Sequence, residues 1–200
     1  MKEAYIRHIP HNPRLRGLAC RVPDVVFSTA SGTPLTMQIL TPWREEGDER
    51  RYPLIVFLQG SAWTSPDVNY ELPQLAGYAR AGYVVASITH RSRLDGHPAP
   101  AFLQDAKTAV RFLRANAKEF GVDPERVCFF GTSSGGNTSM LIALTGDDER
   151  YRTNEYAAYS DAVQLSVECF GPSDLGPLMA ARGKENLEAL TTFLGGDPAA

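Results

Sequence analysis

No stretch of the sequence approaches the roughly 20 apolar residues that cross a hydrocarbon core, and the opening Met1-Lys2-Glu3-Ala4-Tyr5-Ile6-Arg7-His8 lacks the apolar centre of a secretory signal. No membrane partner is expected, and the expected location is cytoplasmic. Charge of either sign is not in excess: 20 basic against 23 acidic residues leave a net charge of -3, so nothing pulls the chain toward nucleic acid. Cysteine is scarce, with Cys20, Cys128 and Cys169 odd in number and far apart, so buried, reduced thiols are expected rather than a disulfide framework. Histidine is scarce too, and none of the four lies beyond position 97. His8 and His11 are too isolated to argue for a metal site. Repeats, low-complexity tracts and linkers are absent, which makes residues 1–200 a single expected domain.

What is present alternates. Val22 to Phe27 and Leu35 to Leu40 flank the turn cluster Ser31-Gly32-Thr33-Pro34 and read as an antiparallel hairpin. Leu54-Ile55-Val56-Phe57-Leu58 is continuously apolar, as in a parallel strand covered on both faces. A helix over 72–81, a strand over 83–88, a long helix over 101–120, a strand over 127–130, a helix after Gly135 and a strand over 163–170 complete a βαβ series. In the long helix Phe102, Ala106, Val110, Leu113 and Ala117 form one apolar stripe, and Lys107, Arg111, Arg114 and Lys118 are expected to face water. Gly121 is the expected C-cap.

Val127-Cys128-Phe129-Phe130-Gly131-Thr132-Ser133-Ser134-Gly135-Gly136 runs an apolar strand into Gly-x-Ser-x-Gly and then a helix. That context fits a nucleophile elbow, a turn so tight that side chains must be absent at 131 and 135, with Ser133 Oγ lifted clear of the sheet. The rival spacing, Gly131-x-x-x-x-Gly136-Asn137-Thr138, is that of a phosphate loop, but Asn137 stands where the cationic lysine is needed. After the first parallel strand, Gln59-Gly60-Ser61-Ala62-Trp63 offers small residues whose amides can approach a developing oxyanion. Ser61, Ala62 and Ser134 are the expected amide donors. Trp63 and Tyr70 are candidate pocket residues, with packing as the competing reading.

These segments, together with Val84 to Arg91, Asp105 to Leu113, Asp123-Pro124-Glu125-Arg126-Val127 and Phe170-Gly171-Pro172-Ser173-Asp174-Leu175, resemble the carboxylesterase, feruloyl-esterase-like branch of the α/β hydrolases, near the hormone-sensitive-lipase and kynurenine formamidase groups. The resemblance spans about residues 22 to 180. It implies an α/β-hydrolase fold, a mostly parallel sheet flanked by helices, and hydrolysis of small carboxylic esters by a Ser-His-Asp triad without cofactor or metal. The chain departs from the usual His-Gly-Gly-x-Trp, carrying Gln59, Gly60 and Ser61 instead.

In such a triad the order along the chain is nucleophile, acid, histidine, yet no histidine follows Ser133. His90 ends a strand where active sites gather, with a structural role as the competing reading. Asp174 is carried as a candidate acid against a turn or helix-cap role, and Asp105 reads as structural. The expected explanation is truncation after the sixth strand. Loss of the base costs on the order of 10⁶ in turnover in a serine protease. An exposed last strand would then invite pairing with a second copy. Two alternatives stay open: an amidase or formamidase using the same elbow, and a non-catalytic interaction protein that pairs through that edge.

Overall fold

The computed structural model describes residues 17–180 and 184–196. His8 and His11 lie outside them. The hairpin forms from β1 (Ala19–Ser28) and β2 (Leu35–Pro42), antiparallel with Val22 opposite Ile39. The chain then builds β3 (Tyr52–Leu58), β4 (Val84–Ile88), β5 (Val122–Thr132) and β6 (Leu165–Cys169). Their order in the single sheet is β1-β2-β4-β3-β5-β6. β4, β3, β5 and β6 run parallel, and β2 joins β4 antiparallel. With helices on both faces, this is an α/β-hydrolase fold. Its helices are α1 (Leu72–Arg80), α2 (Ala101–Ala115), α3 (Ala117–Phe120), α4 (Ser134–Leu144), α5 (Leu175–Ala180) and α6 (Lys184–Leu194).

Alternation along the strands assigns side chains to faces. Leu54, Val56 and Leu58 of β3, Val84, Ala86 and Ile88 of β4 and Val127 and Phe129 of β5 pack with Phe102, Ala106, Val110 and Leu113 of α2 and Ile142 of α4. The opposite face carries Ile55, Phe57, Val85 and Leu40 beneath Leu75 and Ala79 of α1. The continuous apolar run of β3 is thus explained: both of its faces are covered. β6 differs, with Leu165 58% exposed. None of the described helices is long and apolar enough to cross a membrane.

Three expectations are corrected. The long helix stops at Asn116, whose Nδ2 donates to Phe112 O at 2.9 Å and competes with the helix's own bonding, before α3 resumes. Gly121 closes it in the left-handed conformation, φ 68°, as the sequence suggests. More consequential, Lys107 and Arg111 are fully buried and Arg114 is buried, rather than facing water. The segment between α4 and β6 folds over them. Lys107 Nζ donates to Asp161 Oδ1 at 2.5 Å, Arg111 Nη1 to Asp161 Oδ2 at 2.7 Å, and Arg114 to the carbonyls of Ser160 and Ala162. The cysteines are the third correction: Cys20 is exposed, and Cys128 and Cys169 are half-buried. Burial still pushes the Cys128 thiol up to about 11.

Candidate active site

Ser133 joins β5 to α4 at φ 51° and ψ -121°. Such a conformation costs an L-residue about 1–3 kcal/mol and persists only where the surroundings enforce it. Here they do. Ser133 N donates to Cys169 O at 2.9 Å, and Asn137 N closes the first helical bond onto Ser133 O at 3.0 Å. A methyl group on Gly131 would lie 2.0 Å from Gly135 O, and one on Gly135 would lie 2.0 Å from Leu58 O. Neither glycine has a positive φ, so glycine at both positions is a packing requirement of the close approach. Ser133 remains half-buried, and its hydroxyl has no partner among the described residues.

The loop after β3 lies directly against this turn. A methyl group on Gly60 would come within 2.6 Å of Ser133 Cβ and 2.7 Å of Thr132 O. Gly60 N donates to Thr132 Oγ1 at 3.0 Å, and Ser61 N donates to Ser134 Oγ at 2.8 Å. Ala62 and Trp63 then adopt positive φ, 51° and 58°. Their carbonyls are fixed by Arg93, whose Nε donates to Ala62 O at 2.8 Å and whose backbone N donates to Trp63 O at 3.0 Å. Ser61 and Thr64 exchange side-chain bonds with each other's carbonyls at 2.7 Å. The loop is thus held through the Gly60 and Ser61 amides and the Ser61, Ala62 and Trp63 carbonyls.

The structure thus gathers Ser133, Ser134 and Gly60 to Ala62 into one place. One expected donor is corrected: the Ser61 amide is already bonded to the Ser134 hydroxyl. The Ala62 amide has no acceptor among the described residues, and the Ser134 amide belongs to the first turn of α4, where the helix provides none. Positive helix-end charge favours an anion there.

The remaining candidates sit elsewhere. Trp63 is only 7% exposed, its ring 4.1 Å from that of Phe193 in α6, so it packs in the core rather than walling a pocket. Tyr70 is 69% exposed. Asp174 is exposed and its Oδ1 accepts from Gly176 N at 2.9 Å, the helix-cap arrangement at the start of α5. Asp105 is tied by both oxygens to Arg91, with Nε at 3.0 Å, and is structural. His90 is buried with Nδ1 2.8 Å from Arg91 O, a geometry that makes Nδ1 the donor, and burial pushes its pKa down. His90 and His97 line a cavity of about 220 Å³ with Ser65, Ser92 and Asp95, and Ser133 is not part of that lining. Among the described residues no group of three His, Cys, Asp or Glu side chains could hold a metal ion. Sequence reading missed the hydroxyls of Thr132 and Ser134, although both flank Ser133 in Gly-Thr-Ser-Ser-Gly.

Residues 37–200 match the BD-FAE family model. Among curated proteins, the chain is 30% identical over 139 residues to esterase LipC of Mycobacterium tuberculosis, covering 68% of this chain and 34% of that protein. Esterase LipQ of the same organism is 27% identical over 175 residues, 84% of this chain and 39% of LipQ. The chain therefore spans little more than a third of the length of these relatives. Among solved structures, it aligns with a truncated form of a carbohydrate esterase from gut microbiota at a TM-score of 0.76 and 25% identity, covering 93% of this chain and 69% of that one. A bifunctional GH43-CE protein of Bacteroides eggerthii aligns at 0.74 and 28% identity, over 90% of this chain and 24% of that one. The sheet order, the strained serine between β5 and α4, and the match over residues 37–200 agree: the chain belongs to the BD-FAE family.

Proposed function

We propose that the chain carries the nucleophile of a serine hydrolase acting on carboxylic esters, with Ser133 as that nucleophile. The observation that carries this reading is the strained Ser133 backbone, which holds an unpartnered hydroxyl against the loop at Gly60. Ser133 Oγ attacks the acyl carbon, its proton passes to a base, and the carbonyl π electrons move onto oxygen. The amides of Ala62 and Ser134 stabilise that oxyanion. Collapse breaks the acyl–alkoxy bond, the alcohol leaves with the proton, and water repeats the sequence on the acyl-enzyme. Water is the only co-reactant.

The base is assigned to a histidine other than His90, which is buried and bonded to Arg91 O, and His97, which lines a cavity that does not include Ser133. The acid is likewise assigned to a carboxylate other than Asp174, which caps α5. The cytoplasmic location belongs to this proposal. The test is fluorophosphonate labelling of the chain beside a version extended through its natural reading frame. Labelling of the extended protein that disappears in Ser133→Ala supports the reading, and no labelling of either sinks it. Turnover of p-nitrophenyl acetate, an acetylated sugar and an anilide by the labelled protein then separates esterase from amidase. A second reading, a non-catalytic protein whose copies pair through β6, is favoured by the exposed Leu165 and Val167. It requires a stable dimer in sedimentation together with an unreactive Ser133.

A further inference from the structure

The two hydroxyls beside Ser133 have no part in the bond-making steps above, yet both reach across to the same loop. Thr132 Oγ1 accepts the Gly60 amide at 3.0 Å, and Ser134 Oγ accepts the Ser61 amide at 2.8 Å. These are consecutive donors, bonded to the residues immediately before and after the nucleophile. Ser134 is buried to 2% exposure and Gly60 leaves no room for a methyl group against Ser133. The loop can therefore neither slide nor lift without breaking both bonds.

We propose that Thr132 and Ser134 are positioning residues that clamp the loop after β3, setting the direction of the Ala62 amide relative to Ser133 Oγ. The proposal rests on the hydrolase reading and deepens it. With Gly60 and Ser61 bonded to the elbow, the chain enters Ala62 and Trp63 from a fixed start. The two successive left-handed residues that follow are anchored by Arg93 through both carbonyls, so the loop is fixed on the far side of the Ala62 amide as well. The clamp makes the elbow and the loop one rigid body, so that preorganised donors need no rearrangement as charge develops.

A competing role has the opposite sign. If the Ser134 hydroxyl merely occupies an amide that should bind the oxyanion, removing it frees a donor and raises turnover. The experiment uses the natural full-length polypeptide with p-nitrophenyl acetate, comparing Ser134→Ala, Thr132→Val and Thr132→Ser by kcat, KM, fluorophosphonate labelling rate and thermal midpoint. One oxyanion donor is worth about 10²–10³ in kcat, so a loosened donor is expected to cost about 10-fold in kcat with KM within about twofold. Thr132→Ser, which keeps the oxygen, is expected to recover most of the loss in Thr132→Val at an unchanged thermal midpoint. The clamp is overturned if Ser134→Ala equals or exceeds the parent in kcat, or if Thr132→Ser falls as far as Thr132→Val. Should Ser134→Ala fail to fold, the Thr132 pair decides alone. Failure of the parent protein to label at Ser133 overturns the hydrolase reading instead, so the two failures are distinct.

Discussion

The two faces of the sheet solve the same packing problem differently. On one, α2 and α4 cover the strands with aliphatic and aromatic side chains, and the segment between α4 and β6 seals Lys107 and Arg111 beneath it through Asp161. On the other, α1 covers β2, β4 and β3, and coverage stops at β5. Cys128 and Phe130 are half-buried there, Leu165 and Val167 opposite them in the register are exposed, and Phe170 beyond is 79% exposed. One face tolerates buried charge because every charge is bonded. The other leaves apolar surface open. The elbow sits where these regimes meet, with Ser133 N on Cys169 O of the exposed strand and α4 on the sealed face.

The sharpest break of this contrast is Asp161→Ala. It leaves Lys107 and Arg111 buried without a carboxylate and removes the acceptor of the Asp147 amide at 2.9 Å. A loss of about 3–5 kcal/mol in urea unfolding is expected, since stranding a buried charge costs far more than an intact pair contributes. A loss below about 1 kcal/mol means that water reaches this cluster and the face is not sealed. Leu54→Ala, at a fully buried β3 position on that face, is expected to cost about 2–5 kcal/mol by the same measurement. A much smaller loss would show that the strands collapse onto the cavity.

Much of this was legible in the sequence where the signal is local. The β3 run, the hairpin turn, the Gly121 cap and the spacing of Gly131, Ser133 and Gly135 each declare themselves within a dozen residues, because period and backbone conformation are local properties. The misreadings share the opposite property. Lys107 and Arg111 at a four-residue step look like a solvated stripe, and the Asp161 that draws them inward stands 54 and 50 positions away. The Ser61 amide reads as a free donor until Ser134, 73 positions on, is seen to accept from it. Trp63 looks like a pocket residue until α6 brings Phe193 against it.

A pH-dependent effect sharpens the picture at the cavity beside the covered face. His90 packs against Phe102, shares its cavity with His97 and Asp95, and feels Asp105 and Arg91, which act on it in opposite directions. Burial dominates and holds its folded pKa below that of the unfolded chain, about 6.5. The unfolded state therefore binds the proton first, so this contribution to stability is complete above about pH 6.5 and is lost as pH falls toward the folded pKa. Urea midpoints measured from about pH 7 to 5 should decline, and His90→Gln should flatten the decline relative to the parent. A parallel decline in both proteins would assign it to the carboxylates.

The smallest effect is expected where the sheet is open. Leu165 pairs with Cys128 across β5 and β6 yet keeps more than half its surface in water, so Leu165→Ser removes little buried area. Its expected cost in urea unfolding is within about 0.5 kcal/mol, as for surface substitutions generally. Set beside Leu54→Ala, the same residue type in the same sheet should differ several-fold in cost because one side chain is under α2 and the other is under solvent. A Leu165→Ser cost approaching that of Leu54→Ala would mean that in solution β6 is covered, and a drop in sedimentation coefficient in the same variant would identify a second copy as the cover.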